Sequence, residues 1–183
     1  MAPGEGFQPR PCYRIPRAQR HLVRHHGSLT RLLRSLCREA FSVQVLGQAT
    51  RVPTRDEALA LGQDPRRRAW VREVVLCGDG RAWVHARTVI PLATLNGPGR
   101  SLKRLGNRPL GSALFGNRPW RRARFTCGFN GTAQGLCAAR RSVFRRRGRS
   151  LLVTETFLPR LWMDTADRHA GYQTIRMDAI RPL

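Results

Sequence analysis

The sequence predicts an α+β domain built on a single antiparallel β-sheet, and three observations lead to this prediction. Residues 70–77 and 81–91 form apolar, strand-like runs on either side of a Gly-Asp-Gly turn, as in a β-hairpin. A strong strand pattern follows at 150–158, and leucines recur at helical spacing after Ser28. The 183 residues are most economically one domain with a sizeable core.

The N-terminal part of the chain predicts an arm, a helix and a strand. Residues 1–17 carry several prolines and predict a loose arm. Ser28 is a candidate helix N-cap. The leucines that would then share one helical face are Leu29, Leu32, Leu33 and Leu36. Residues 41–46 alternate and predict a strand, whereas 50–68 predict a loop or a short helix.

The remaining elements complete the sheet and add helices to it. Short helices are predicted over 101–105 and 109–115, weaker strands over 121–129 and 138–146, and the strongest strand over 150–158. Residues 164–183 have a mixed pattern that supports no prediction. Antiparallel strands with helices packed on them define the α+β class.

The net charge of +23 raises the question of a nucleic-acid partner. Lys103 is the only lysine, so the charge is almost entirely arginine, a skew that a bias toward GC-rich codons produces across a proteome. The arginines are scattered, without the aromatic platform of a single-strand binder. No apolar run approaches a membrane span and no secretory signal is recognisable, which predicts a cytoplasmic protein.

The cysteines and histidines predict no metal site. The five cysteines form no Cys-x-x-Cys pair, and we expect free, mostly buried thiols without a disulfide framework. His21 and His25 are four residues apart, but no acidic ligand accompanies them.

Glu155 is the candidate site residue that strand periodicity singles out. In a strand it shares a face with Leu151, Val153 and Phe157. A carboxylate on an apolar face is costly unless it is paired or used. The sequence therefore predicts either a buried site or a structural ion pair with an arginine.

Two arginines of the hairpin are predicted to face the same way. A two-residue Asp79-Gly80 loop pairs Gly78 with Arg81, and counting back sets Arg72 opposite Arg87. The apolar residues on that face would be Trp70, Val74, Leu76 and Val89. Facing arginines require an anion, which is either Glu155 or an anionic small molecule.

Two further residues are candidates for the same region. Pro109 favours the first turn of a helix, which would leave the backbone N–H of Leu110 free to bind an anion. His85 lies on the strand of Arg87 and would line the same pocket or cap the sheet edge.

In order and spacing, these segments resemble the chorismate pyruvate-lyase family. The stretches that carry the resemblance are Trp70-Val-Arg-Glu-Val-Val-Leu-Cys-Gly-Asp-Gly80, Ala86-Arg-Thr-Val-Ile-Pro91, Leu105-Gly-Asn-Arg-Pro-Leu-Gly111, Ala139-Arg-Arg-Ser142 and Leu151-Leu-Val-Thr-Glu-Thr-Phe-Leu-Pro159. The resemblance covers about residues 12–162, which implies a lyase-like domain over 18–162 and a C-terminal extension over 163–183.

The resemblance implies helical flaps that close over a buried ligand, and it assigns roles to residues. Arg72 and the backbone of Leu110 would hold a ring carboxylate, Glu155 would meet the ring hydroxyl, and Leu29 on the first flap would close the pocket. The second carboxylate of the substrate would then fall to Arg87. Glu155 would either orient the hydroxyl or act as a general base.

The implied function is conversion of chorismate to 4-hydroxybenzoate and pyruvate, the first committed step towards ubiquinone. The resemblance implies a monomer without metal or cofactor that binds these small molecules and no specific nucleic acid. Two alternatives remain at this point: a non-catalytic domain of the same fold that senses a small acid, and a basic RNA-associated protein.

Overall fold

The computed structural model describes residues 6–116 and 119–166, which form one antiparallel sheet with helices on both faces. This confirms the predicted α+β class. Seven strands run in the order β1-β5-β6-β7-β4-β3-β2 across the sheet. The strands are β1 (Phe7–Pro9), β2 (Phe41–Arg51), β3 (Ala69–Gly78), β4 (Arg81–Pro91), β5 (Arg121–Thr132), β6 (Gly135–Arg146) and β7 (Arg149–Phe157).

The helices divide between the two faces of the sheet. They are α1 (Arg17–Val23), α2 (Leu29–Leu36), α3 (Arg55–Leu61), α4 (Leu92–Leu95), α5 (Leu110–Leu114), the 3-10 helices Cys12–Arg14 and Arg100–Arg104, and a helical segment at 159–166. We call the face that carries Glu155 the inner face. Leucines of α1, α2 and α5 pack on it, whereas Leu61 of α3 packs against Val71, Val89 and Leu152 on the outer face.

The first predicted helix is confirmed as α2. The hydroxyl of Ser28 accepts a hydrogen bond from the Arg31 backbone N–H at 3.4 Å, as an N-cap should. Leu29, Leu33 and Leu36 are buried on one side of the helix. This apolar stripe is what fastens α2 over the sheet.

The hairpin turn is confirmed, but the predicted register beyond it is wrong. Gly78 pairs with Arg81 as expected, yet Leu76 pairs with Val84 because Trp83 is an extra residue in β4. The Trp83 indole lies directly over Gly78 and donates to the Asp164 carboxylate at 3.0 Å. This bulge shifts every later pair by one residue, so Arg72 lies opposite Thr88 rather than Arg87.

The N-terminal segment is tied to the sheet from Phe7 onward, which corrects the prediction of a loose arm. Strand β1 pairs with β5, and Gly128 permits this approach because a side chain there would collide with the Gln8 carbonyl. Cys12 forms a disulfide with Cys127 across 115 residues, which corrects the prediction that all five thiols are free. The spacing of the cysteines along the chain could not predict this disulfide, because Cys12 and Cys127 become neighbours only when β1 pairs with β5.

The C-terminal boundary also differs from the prediction at residue 163. Asp164 lies on the 159–166 helix and accepts hydrogen bonds from Arg81 and Trp83, and Thr165 is fully buried. The helix that crosses the predicted boundary is therefore packed on the domain. The rest of the predicted extension lies outside the described residues. Within the described ranges, no helix is long and apolar enough to cross a membrane.

Thiol titration tests the disulfide. We expect three reactive thiols in denatured, unreduced protein and five after reduction. Cys12→Ser should lower the free energy of unfolding by about 2–4 kcal/mol, because the cross-link restricts the unfolded chain. Cys37→Ser, which replaces a cysteine outside this disulfide, serves as the control. Five thiols before reduction would contradict the pairing.

Candidate active site

A cavity lies between the inner face of the sheet and the flaps formed by α2 and α5. The space beneath the flaps is about 520 Å³ when the open solvent at its mouth is counted with it. Leu29, Arg72, Leu110 and Glu155 line it, and Arg87 does not. Four of the five ligand-binding residues predicted from the sequence therefore line one cavity. The charged residues in the lining are Arg72, Arg122, Arg140 and Glu155.

Arg72 extends from β3 into this cavity and is almost fully buried. Its Nη2 donates to the carbonyls of Gly106 and Arg108 at 2.8 and 3.3 Å, while its Nε is buried without a hydrogen-bond partner. Burial lowers the pKa of this guanidinium. No carboxylate of the described residues pairs with it. The Arg72 guanidinium is therefore available to bind an anion.

Leu110 lies at the start of α5, immediately after the loop that contacts Arg72. Pro109 precedes the helix, so the N–H of Leu110 belongs to the first turn, where backbone donors lack helical acceptors. The two flaps meet at Gly111, where a Cβ atom would lie 3.0 Å from the Ser28 hydroxyl oxygen. Glycine at this position therefore lets α5 close tightly against α2.

Glu155 lies on β7 directly opposite Arg140 of β6, and the two form an ion pair at 2.5 Å. The Arg140 side chain is 1% exposed, and its Nη1 also donates to the His25 carbonyl at 2.6 Å. That carbonyl follows the C-terminal end of α1, where a positive charge is favourable. Glu155 therefore forms the ion pair that was one of the two predicted alternatives, and it also lines the cavity.

The ion pair occupies only one side of the Glu155 carboxylate. Arg140 binds Oε2, and no hydrogen bond to Oε1 occurs within the described part of the chain. The Glu155 side chain is 14% exposed and belongs to the cavity lining. Glu155 can therefore accept a hydrogen bond or a proton from a bound molecule.

Arg122 is a cavity residue that the sequence reasoning missed. It reaches the cavity from β5, and its Nε is buried without a partner. Burial, followed by the charge of Arg140, lowers its pKa. The only sequence signal was the arginine-rich run at 121–124, and a bulge between Arg122 and Arg124 prevents periodicity from showing which arginine faces inward.

Arg87 faces the outer side of the sheet, which corrects its assignment to the second substrate carboxylate. It binds Glu57 of α3 at 2.7 and 3.1 Å and also binds Glu73, its neighbour on β3. Burial alone would lower the pKa of Arg87, but the hydrogen bonds and charges of the two glutamates raise it. Its function in this fold is to attach α3 to the sheet.

His85 also lies outside the cavity lining, which corrects the suggestion that it joins the pocket. It pairs with Val75 and Thr156 in the interior of the sheet, and burial lowers its pKa. No group of His, Cys, Asp and Glu side chains in the described ranges has the arrangement of a metal site.

The charges that line the cavity do not balance. Three guanidiniums, from Arg72, Arg122 and Arg140, face one carboxylate, from Glu155, so the lining carries two net positive charges (3 − 1). Because these groups are largely withdrawn from water, the imbalance favours a ligand with two negative charges. The fold and the lining together define a domain whose cavity is suited to a small organic anion.

Comparison with known proteins identifies the family. The sequence profile of the chorismate lyase family matches residues 12–166, and the chain belongs to this family of lyase enzymes. It is 46% identical over 156 residues to a probable chorismate pyruvate-lyase of Marinobacter nauticus, covering 82% of this chain and 81% of that protein. It is 40% identical over 150 residues to the chorismate pyruvate-lyase of Yersinia enterocolitica, covering 79% and 83%.

Solved structures share the fold at low sequence identity. The C-terminal domain of PhnF matches with a TM-score of 0.52 and 14% identity, over 63% of this chain and 80% of that one. A possible transcriptional regulator, YydK from Bacillus subtilis, matches with a TM-score of 0.51 and 10% identity, over 69% and 60%. These similarities concern the architecture alone.

Replacement of Arg87 tests the corrected assignment. Arg87→Gln should lower the free energy of unfolding by about 2–4 kcal/mol, because it leaves the Glu57 carboxylate buried without its cation. Glu57→Gln in the same chain should restore part of that loss, as urea unfolding of both single variants and the double variant would reveal. Weaker ligand binding without any loss of stability would instead support a role in the cavity.

Proposed function

We propose that this protein converts chorismate into 4-hydroxybenzoate and pyruvate. The observation that carries the proposal is the cavity with two uncompensated positive charges in a chain of the chorismate lyase family. Chorismate is a dianion, with one carboxylate on its ring and another on its enolpyruvyl ether. Its charge complements the lining, and it has polar groups for the buried donors to bind.

The two ends of the ring correspond to Arg72 and Glu155. We assign the ring carboxylate to the unpartnered Nε of Arg72 and the backbone N–H of Leu110, because both residues line the cavity. The C4 hydroxyl lies para to that carboxylate, and we assign it to Oε1 of Glu155. Leu29 supplies an apolar wall from the flap above the ring.

In this reaction the protein mainly has to orient chorismate and stabilise the charge that develops on it, rather than to supply reactive groups. The hydrogen at C4 leaves as a proton, and its electron pair forms the C3–C4 double bond of the aromatic ring. The C3–O bond breaks and releases the enolate of pyruvate, which takes up a proton on carbon to become the keto acid. Aromatisation supplies the driving force, so the step needs no redox partner. Glu155 serves it either by holding the C4 hydroxyl or by accepting the C4 proton.

The biological setting of the reaction follows from the family resemblance. We infer a cytoplasmic monomer that acts at the first committed step towards ubiquinone. The surface arginines would give salt-sensitive binding to RNA even if that binding had no function, so such binding would not argue against the lyase.

Turnover of chorismate tests the proposal. Purified protein should convert chorismate into equal amounts of 4-hydroxybenzoate and pyruvate, followed by chromatography. Binding of 4-hydroxybenzoate without turnover would contradict the lyase and favour a domain that senses a small acid. Absence of both binding and turnover would leave the arginine-rich surface as the main indication of function.

Glu155→Gln tests the role of the carboxylate. We expect kcat to fall by about 10²–10⁴-fold, because the amide neither accepts a proton nor carries the charge that orients the hydroxyl. The amide oxygen can still accept the hydrogen bond from Arg140, so the variant should fold. Glu73→Gln makes the same change on the outer face and should retain turnover. Near-normal turnover in Glu155→Gln would refute an essential carboxylate.

A further inference from the structure

Arg122 is a guanidinium with an incomplete set of partners in the wall of the cavity. Its Nη1 donates to the His26 carbonyl at 2.7 Å, and its Nε is buried with no acceptor. No carboxylate within residues 6–116 and 119–166 forms an ion pair with it. A buried donor on a charged group is costly to leave unpaired. Because the described residues provide no anion for Arg122, a bound ligand would have to provide it.

The aromatic rings around Arg122 restrict which ligands can reach its guanidinium. Its guanidinium lies within 6 Å of three ring centroids, those of Phe115, Phe125 and Phe144 at 5.9, 5.6 and 5.1 Å. These rings restrict water around the charge and limit the directions from which a ligand can approach it. Electrostatic attraction to an anion is stronger where water is restricted.

Arg140 is less available for a ligand than Arg122, although it also lines the cavity. Its Nε binds Glu155 and its Nη1 binds the His25 carbonyl, with the carbonyls of Leu22 and Val23 at 3.5 Å. These contacts already compensate its charge. The uncompensated guanidiniums in the lining are therefore Arg72 and Arg122.

The strand order separates these two arginines about Glu155. Arg72 is on β3, two strands to one side of β7, and Arg122 is on β5, two strands to the other side. At about 4.8 Å per strand, each strand lies roughly 10 Å from β7 at the level of the backbone. If Arg72 binds the ring carboxylate and Glu155 binds the C4 hydroxyl, the side of the cavity that carries Arg122 is left for the substituent at C3.

We propose that Arg122, rather than Arg87, is the specificity-determining residue that binds the carboxylate of the enolpyruvyl side chain. Arg122 thereby recognises the part of the substrate that departs as pyruvate. This inference rests on the proposed function, because it takes the orientation of the ring from the roles of Arg72 and Glu155. It distinguishes substrate from product, since 4-hydroxybenzoate has no second carboxylate.

Arg122→Gln separates binding of the two carboxylates. We expect KM for chorismate to rise by about 10–100-fold with a smaller change in kcat, the loss typical of a charge-assisted contact. The dissociation constant of 4-hydroxybenzoate should change less than about twofold. Arg124→Gln, on an exposed residue of the same strand, should change neither constant. Equal weakening of chorismate and 4-hydroxybenzoate, or an unchanged KM, would overturn the proposal.

A pair of synthetic ligands tests the same contact in the wild-type protein without turnover. 3-(Carboxymethoxy)-4-hydroxybenzoate carries a carboxylate where chorismate has its enolpyruvyl group, and 3-ethoxy-4-hydroxybenzoate is its uncharged counterpart. Calorimetry should give at least tenfold tighter binding of the charged ligand at low ionic strength. That preference should disappear in Arg122→Gln and survive in part in Arg122→Lys. Equal affinity of the two ligands in the wild type would overturn the assignment, whether or not chorismate is turned over.

Discussion

The ion pair between Arg140 and Glu155 connects the sheet, helix α1 and the cavity. A fully buried guanidinium is tolerated here because it binds a carboxylate on the neighbouring strand and the carbonyl of His25, which follows α1. The same contact fixes one oxygen of Glu155 and leaves the other without a hydrogen bond in the described part of the chain. The group that meets the ligand is therefore positioned by the contact that holds α1 against the sheet.

The two faces of the sheet use arginine in opposite ways. On the outer face, Arg87 is bound by Glu57 and Glu73, so its charge is compensated and stabilises the packing of α3. On the inner face, Arg72 and Arg122 have backbone acceptors but no carboxylate among the described residues. Compensated charge contributes to stability, whereas uncompensated buried charge creates a requirement for ligand. This contrast locates the site independently of any relative.

Sequence periodicity predicted what depends on local patterns and failed where distant segments meet. The face of Glu155, the N-cap at Ser28 and the Gly78–Arg81 pair are confirmed because each depends on neighbouring residues. The bulge at Trp83, whose indole binds Asp164 some 80 residues away, places Arg87 on the face of the sheet opposite to the predicted one. The Cys12–Cys127 bond and the inward position of Arg122 likewise require the folded sheet.

The most direct test of this account is a crystal structure with 4-hydroxybenzoate bound. The account predicts that the ligand carboxylate contacts Arg72 Nε and the Leu110 N–H, that its hydroxyl contacts Glu155, and that the space beside Arg122 holds solvent or an anion. A ligand bound on the outer face near Arg87, or bound in the cavity with its carboxylate away from Arg72, would contradict it.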